Sequence, residues 1–234
     1  LSRETVDDFT LVFDNFQEVN EAEYICRFFL HLVEALPLRF HVIIVSRTHP
    51  ALNLVRFRSE KELTELSDRD LWFGCQEISS LFHQIYRVFP DESLIASLYD
   101  RFAGWITGYI FILDTVFRQK PDDQRRTLEG AIMNPLLPEI ADFFRTEVMN
   151  SVAPELQDEI VRFSPLPCFD SAGIEAATGK SGAAVINALI SGNLFVQSVE
   201  ETPGTYAFHP LFSEFLRGKI SQMKEKERIR VYNS

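Results

Sequence analysis

The 234-residue chain is short of several things, and each shortage argues against a class of function. Its three cysteines, Cys26, Cys75 and Cys168, lie far apart with no CxxC or Cys/His ligand spacing, which suits a reducing, cytoplasmic setting better than a disulfide scaffold. The five histidines form no HxxxH or HExxH pair, so no zinc site is expected. There is no G-x-S-x-G elbow for a nucleophile. No stretch reaches the roughly 18 apolar residues of a membrane span. Basic residues are outnumbered 23 to 34, giving a net charge of −11. Broad nucleic-acid or anionic-membrane binding needs clustered cations, so neither partner is expected. A glycine-rich phosphate loop, GxxxxGK[ST], is also missing. Gly179-Lys180-Ser181 imitates its end, but position 174 is Ile174 and no strand precedes it, so it reads as a loop between two short helices.

What is present begins with two apolar runs, Phe9 to Asp14 and Phe40 to Arg47, read as fully buried strands that each end on charged residues. Between them, Asn20 to Glu23 has the form of a capping box with Asn20 as the cap. Ile25, Phe28, Phe29, Leu32, Val33 and Leu36 follow at helical spacing, and Pro37 follows the stop. A strand–helix–strand unit implies parallel strands with both C-termini on one edge, where open α/β sheets bind ligands. That edge would bring Asp14 and Arg47 together. A third strand is expected at Leu63 to Leu66.

From Gln76 the pattern becomes helical: Gln76 to Val88, Asp91 to Phe102, and Gly104 to Phe117, the last apolar nearly all round. Lys120 to Arg126 reads as a polar connection. Helices are expected again at Leu137 to Met149 and Pro154 to Phe163, then short ones at Ile174 to Thr178 and Gly182 to Ile190. Leu194 to Val199 and Thr205 to Phe208 flank a turn at Glu200 to Gly204 as a hairpin, and His209-Pro210 opens a final helix through Leu216. Short helices followed by a two-stranded wing describe a winged helix. Between Pro154 and Phe215 the only basic residues are Arg162 and Lys180, against eight acids, so this wing is expected to bind protein rather than DNA. The 21 phenylalanines are expected to pack between helices.

Asp14 could reach Mg²⁺ at the sheet edge, as a carboxylate does in phosphoryl-transfer sites, or simply cap a turn. The strand context does not separate the two. Asn15 stands where a hydrolase offers a second acid, and an amide is a poor base. Arg47 could reach a phosphate or form an ordinary surface pair.

The order LVFDNF, VIIVSRTHPALNLVRFR, ELSDRDLWF, GWITG and TYAFHPLFSEFLR, from about Phe9 to Leu216, resembles the MalT-like branch of the STAND signal-transduction ATPases, typically LuxR-type transcriptional activators. The fold class that the resemblance implies is α/β plus α. It would comprise the C-terminal part of a P-loop (AAA+/STAND-like) parallel-sheet domain over 1–75, a helical domain over 76–136 and a winged helix over 137–223. A run-in to a helical-repeat sensor would follow over 224–234. By the same resemblance Asp14 matches the Walker B acid that holds Mg²⁺, and Arg47 the sensor-1 arginine. Gly104 and Trp105 open the segment near the adenine, and His209 touches the β-phosphate of ADP in the resting state. Without the family, His209 reads as a helix cap. ATP or ADP with Mg²⁺ would then control self-association in the longer protein, under an unidentified inducer. These 234 residues alone, without the phosphate loop, are expected to be inactive and to bind nucleotide weakly or not at all. Ile106 replaces the family's Pro and Asn15 its second acid. The alternative is therefore a degenerate, nucleotide-independent scaffold or protein-interaction module, and any ATPase activity should be slow.

Overall fold

A computed structural model describes residues 8–37, 39–85, 87–133, 136–199, 202–223 and 225. The expected run-in to a sensor, 224–234, lies outside the described residues apart from Glu225, and the hairpin turn is described only from Thr202. The chain divides into two compact units. The first runs to Glu65 and includes Ser191–Asn193; the second holds Leu66–Ile190 and the chain from Leu194. The described residues are mostly helical, with two small sheets.

In the first unit β1 (Phe9–Phe13), α1 (Glu23–Ala35) and β2 (Phe40–Ile44) form the expected parallel pair, with Phe13 opposite Ile44. α2 (Val55–Ser59) follows. The strands are only half-buried, which corrects the reading of fully buried ones. Phe13, Val42 and Ile44 face a small core of Phe16, Cys26, Phe29 and Leu52, while Val12 and Ile43 stay 61% and 48% exposed. Strand side chains alternate between faces, so one covering helix buries one set only. The stripe of α1 also shifts: Cys26 and Phe29 are buried and Phe28 is exposed.

Asn20 does not cap α1, whose N-cap is Ala22 without a side-chain bond. Its amide instead pins the loop after β2: Oδ1 accepts from Ala51 N at 2.7 Å, and Nδ2 donates to the His49 carbonyl at 3.0 Å. Leu63 to Leu66 forms no strand. Only Leu63 is half-buried, and Glu65 turns back to a two-pronged pair with Arg58 (2.6 and 2.8 Å). That segment has no alternating face to bury, which a strand here would need.

The second unit opens with a 3₁₀ turn, Asp68–Leu71, closed by reciprocal bonds between Ser67 and Asp70. Arg69 Nη2 from this turn donates to both the carbonyl and the hydroxyl of Ser198 at 2.9 Å. Next come α3 (Cys75–Gln84), α4 (Glu92–Phe102), α5 (Ile106–Phe117) and α6 (Pro121–Met133). Asp91 caps α4 through the Leu94 amide; the Ser93 hydroxyl, that amide and Arg125 hold its carboxyl down at about 2. The supposed connection Lys120 to Arg126 is mostly the start of α6. It is a surface helix that buries Leu128 and Ala131 and braces Arg125 against Glu129, so its exposed first turns look like a loop in sequence.

α7 (Pro138–Phe143) does not run on to Met149 as one regular helix. A π-turn at Phe144–Val148 and a 3₁₀ turn at Met149–Ser151 replace its second half, and Gln157 Nε2 donates to the Met149 and Val152 carbonyls there. The winged helix follows: α8 (Pro154–Phe163), α9 (Ser171–Thr178), α10 (Gly182–Ser191), β3 (Val196–Ser198), β4 (Tyr206–Phe208) and α11 (Pro210–Ser221). β3 and β4 pair antiparallel, and Phe169 bridges to Tyr206 from the outer side. One continuous apolar core runs from Ile78 to Ile220, so the helical and winged-helix parts share an interior.

α10 begins hard against α9. A Cβ on Gly182 would sit 1.9 Å from the Ser171 carbonyl oxygen, a backbone atom that cannot swing aside. Gly218, inside α11, has nothing within 4 Å of the same position. Urea denaturation should therefore move the two alanine variants in opposite directions. Gly182→Ala should lose about 1–3 kcal/mol or more to overpacking, while Gly218→Ala should gain about 0.5–1 kcal/mol from helix propensity.

Candidate functional site

In the first unit the C-terminal edge of the parallel pair carries the expected residues. Val45 N donates to the Phe13 carbonyl at 2.8 Å and Phe16 N to the Val45 carbonyl at 3.0 Å, which sets Asp14 and Ser46–Arg47 at the ends of neighbouring strands. Asp14 is exposed, and its Oδ1 accepts from the Asn15 amide at 2.8 Å. Asn15 has φ 55°, in the left-handed region that Asn tolerates better than most residues. Its Oδ1 accepts from Gln17 Nε2 at 3.2 Å, and Gln17 Oε1 accepts from the Arg47 amide at 3.0 Å. Gln17 thus ties the two strand ends together, a role no motif announced; the signal was only its place in the turn directly after β1. Among the described residues no group of three or more His, Cys, Asp or Glu could hold a metal. Asp14 offers a single carboxylate, which fits a Mg²⁺ that takes its other ligands from water and phosphate.

The second unit holds Gly104, Trp105 and His209. Gly104 has φ +81°, and a Cβ there would meet the Trp72 Cβ at 2.8 Å and the Phe73 carbonyl at 2.9 Å. Phe73 N donates to the Gly104 carbonyl at 2.9 Å, and Gly104 N to the Tyr109 hydroxyl at 3.3 Å. Burial pushes that phenol well above its ordinary range. Both the dihedral and the close approach therefore require glycine. Gly108 is enclosed as tightly, between Phe102 and Trp105. The Trp105 ring stacks on Phe144 (5.4 Å, 17°) and meets Phe195 edge-on at 5.3 Å and His209 at 6.1 Å.

His209 is 2% exposed and caps α11. The Leu211 amide can only donate, so Nδ1, 3.3 Å away, is the acceptor and Nε2 carries the proton. Nε2 then donates to the Phe102 carbonyl at 2.9 Å. Burial, opposed by the Phe102 bond, pulls the imidazole down from 6.5 to about 4, so it is neutral at pH 7. Arg101, beside Phe102, pairs with Glu214 at 3.1 Å. Neither residue stood out in the sequence, because the pair forms only when α4 and α11 pack.

The α10 surface matters for DNA. Gly182, Val185, Ile186 and Leu189 are buried, and Ala183, Ala184, Asn187 and Ile190 face out without a positive charge. Among the described residues no helix is long and apolar enough to cross a membrane.

Fold and site together define a helical and winged-helix module. Residues 145–228 match the family model of the MalT winged helix domain. The HTH-type transcriptional regulator MalT of Yersinia pestis (strain Pestoides F) is 28% identical over 214 residues, covering 91% of this chain and 22% of that protein. Its counterpart in Serratia proteamaculans (strain 568) is 30% identical over 215 residues, with the same coverage. The chain is MalT-like over nearly its whole length, and it spans 22% of the length of these relatives.

Two measurements check this site. A group whose folded value is depressed favours folding above its unfolded value, so the neutral His209 contributes fully above about pH 6.5. That contribution, on the order of 3 kcal/mol, is lost as the pH falls toward 4. Urea midpoints between pH 7 and 4 should show this slope in the parent, and His209→Asn should flatten it. Fluorescence anisotropy with duplex DNA should show no salt-sensitive binding by the chain, because α10 has no cations to displace counterions.

Proposed function

We propose that the chain is the regulatory core of a MalT-like transcriptional regulator whose state is set by bound nucleotide. ADP would hold a resting form, and ATP with an inducer would promote self-association in the cytoplasm. The observation that carries this reading is the shared C-terminal edge of β1 and β2, where Asp14 and Arg47 end neighbouring parallel strands. Open α/β sheets bind ligands at such an edge. Asp14 would supply one oxygen to Mg²⁺ and Arg47 its guanidinium to a phosphate. His209 would donate Nε2–H to a phosphate oxygen of ADP. The similarity to named MalT regulators supports the regulatory part of the reading. The domain assignment that accompanies it makes 1–75 part of a P-loop sheet domain and leaves 76–136 and 137–223 as its helical and winged-helix partners.

A second reading, a nucleotide-independent scaffold, is favoured by one observation: both His209 nitrogens are already bonded within the second unit. The two readings differ in what His209→Ala does in a longer regulator polypeptide that carries a phosphate loop. A hydrogen bond to a charged acceptor is worth about 1.5–3 kcal/mol, so losing it should shift the resting equilibrium by about one to two powers of ten. The switch reading expects faster ADP release and self-association without inducer. Unchanged ADP retention and unchanged association in a folded variant would leave the scaffold reading.

A further inference from the structure

The last turn of α4 meets α11 through two consecutive residues that bond in different ways. The Phe102 carbonyl accepts two hydrogen bonds at 2.9 Å, one from His209 Nε2 and one from the Trp105 amide. If the imidazole turns away, this carbonyl keeps the Trp105 donor and is not left as a buried orphan. The Arg101 guanidinium joins three elements instead. Nη1 donates to the Ile132 carbonyl in the last turn of α6 at 2.8 Å, and Nη2 donates to Glu214 Oε2 on α11 at 3.1 Å. Its planar fork makes both bonds from one position, and the charge is largely shielded from solvent. Removing it would leave the Glu214 carboxylate part-buried without its counter-charge.

We propose that this turn is a two-part latch. Arg101 is the positioning residue that keeps α11 docked on α4 and α6. The His209–Phe102 bond is an exchangeable tie, which releases Nε2–H to an anion without undocking the wing's last helix. That the anion is a nucleotide phosphate rests on the reading above; the division of labour between Arg101 and His209 does not.

Amide hydrogen exchange on the 234-residue chain tests the latch, read as the protection of α11 relative to α5 so that global stability cancels. Arg101→Met should lower this ratio about tenfold or more. Glu214→Gln, an isosteric change that keeps the fold, should lower it in the same direction. His209→Asn retains a short acceptor for the Leu211 amide and loses only the reach to Phe102, so it should stay within about threefold of the parent. A ratio that falls as far in His209→Asn as in Arg101→Met would overturn the proposal, as would no change in Arg101→Met and Glu214→Gln. ADP retention in the longer regulator reports separately on the nucleotide. Expected exchange ratios with ADP retention indifferent to His209 would keep the latch and remove its proposed ligand.

Discussion

The second unit depends on a seam of aromatic rings centred on Phe144. That residue is fully buried at the start of a π-turn and lies within 6 Å, ring centre to ring centre, of Trp105, Phe143, Phe195, Phe212 and Phe215. Its partners come from the start of α5, the end of α7, the approach to β3 and the first turns of α11. Aromatic pairs at these separations add to the area they bury. One ring therefore joins the helical part to the winged helix. The abundance of phenylalanine has its physical use here and in the second ring cluster of Phe163, Phe169 and Phe208 under the wing.

Around this seam two buried polar side chains hold ends of helices. His209 caps α11 and reaches the end of α4, and Tyr109 closes on Gly104. A neutral imidazole suits such a place because it can accept at one nitrogen and donate at the other without carrying charge into the core. The same chemistry would equip it to present a donor to a phosphate, so the structural role and the proposed one draw on one N–H. The constraint explains why a histidine, rather than an ordinary helix-capping residue, suits this position.

The first unit is built on a weaker constraint. Two parallel strands and one helix bury one face of the sheet and leave Val12, Ile43 and Val45 exposed on the other. Its order at the C-terminal edge of the strands comes from polar side chains: Gln17 bridges the strand ends, and Asn20 holds the loop that follows.

Much of this was legible along the chain because its causes are local. Apolar spacing located the strands, the helices α4, α5, α8 and α10, and the hairpin. Pro154 and Pro210 in first helical turns marked helix starts through their own dihedrals. The winged helix, the parallel pair and the capping place of His209 followed from these signals. Contacts between distant segments decided the rest. Asn20 had the sequence of a cap, but the loop after β2 took its amide. Leu63 to Leu66 had the apolar ends of a strand, but only Leu63 is half-buried, and Glu65 pairs with Arg58 instead. Lys120 to Arg126 had the polarity of a loop, and Leu128 and Ala131 anchored it as a helix. Gln17, Arg101 and the doubly bonded Phe102 carbonyl carry no motif at all. Local torsion preferences and periodicity are written in neighbouring residues, so the sequence alone located most of the elements. Hydrogen-bond partners and shared cores are chosen by which elements meet in space, so only the tertiary structure decided the aromatic seam, the Arg101–Glu214 pair and the Gln17 tie between the strand ends.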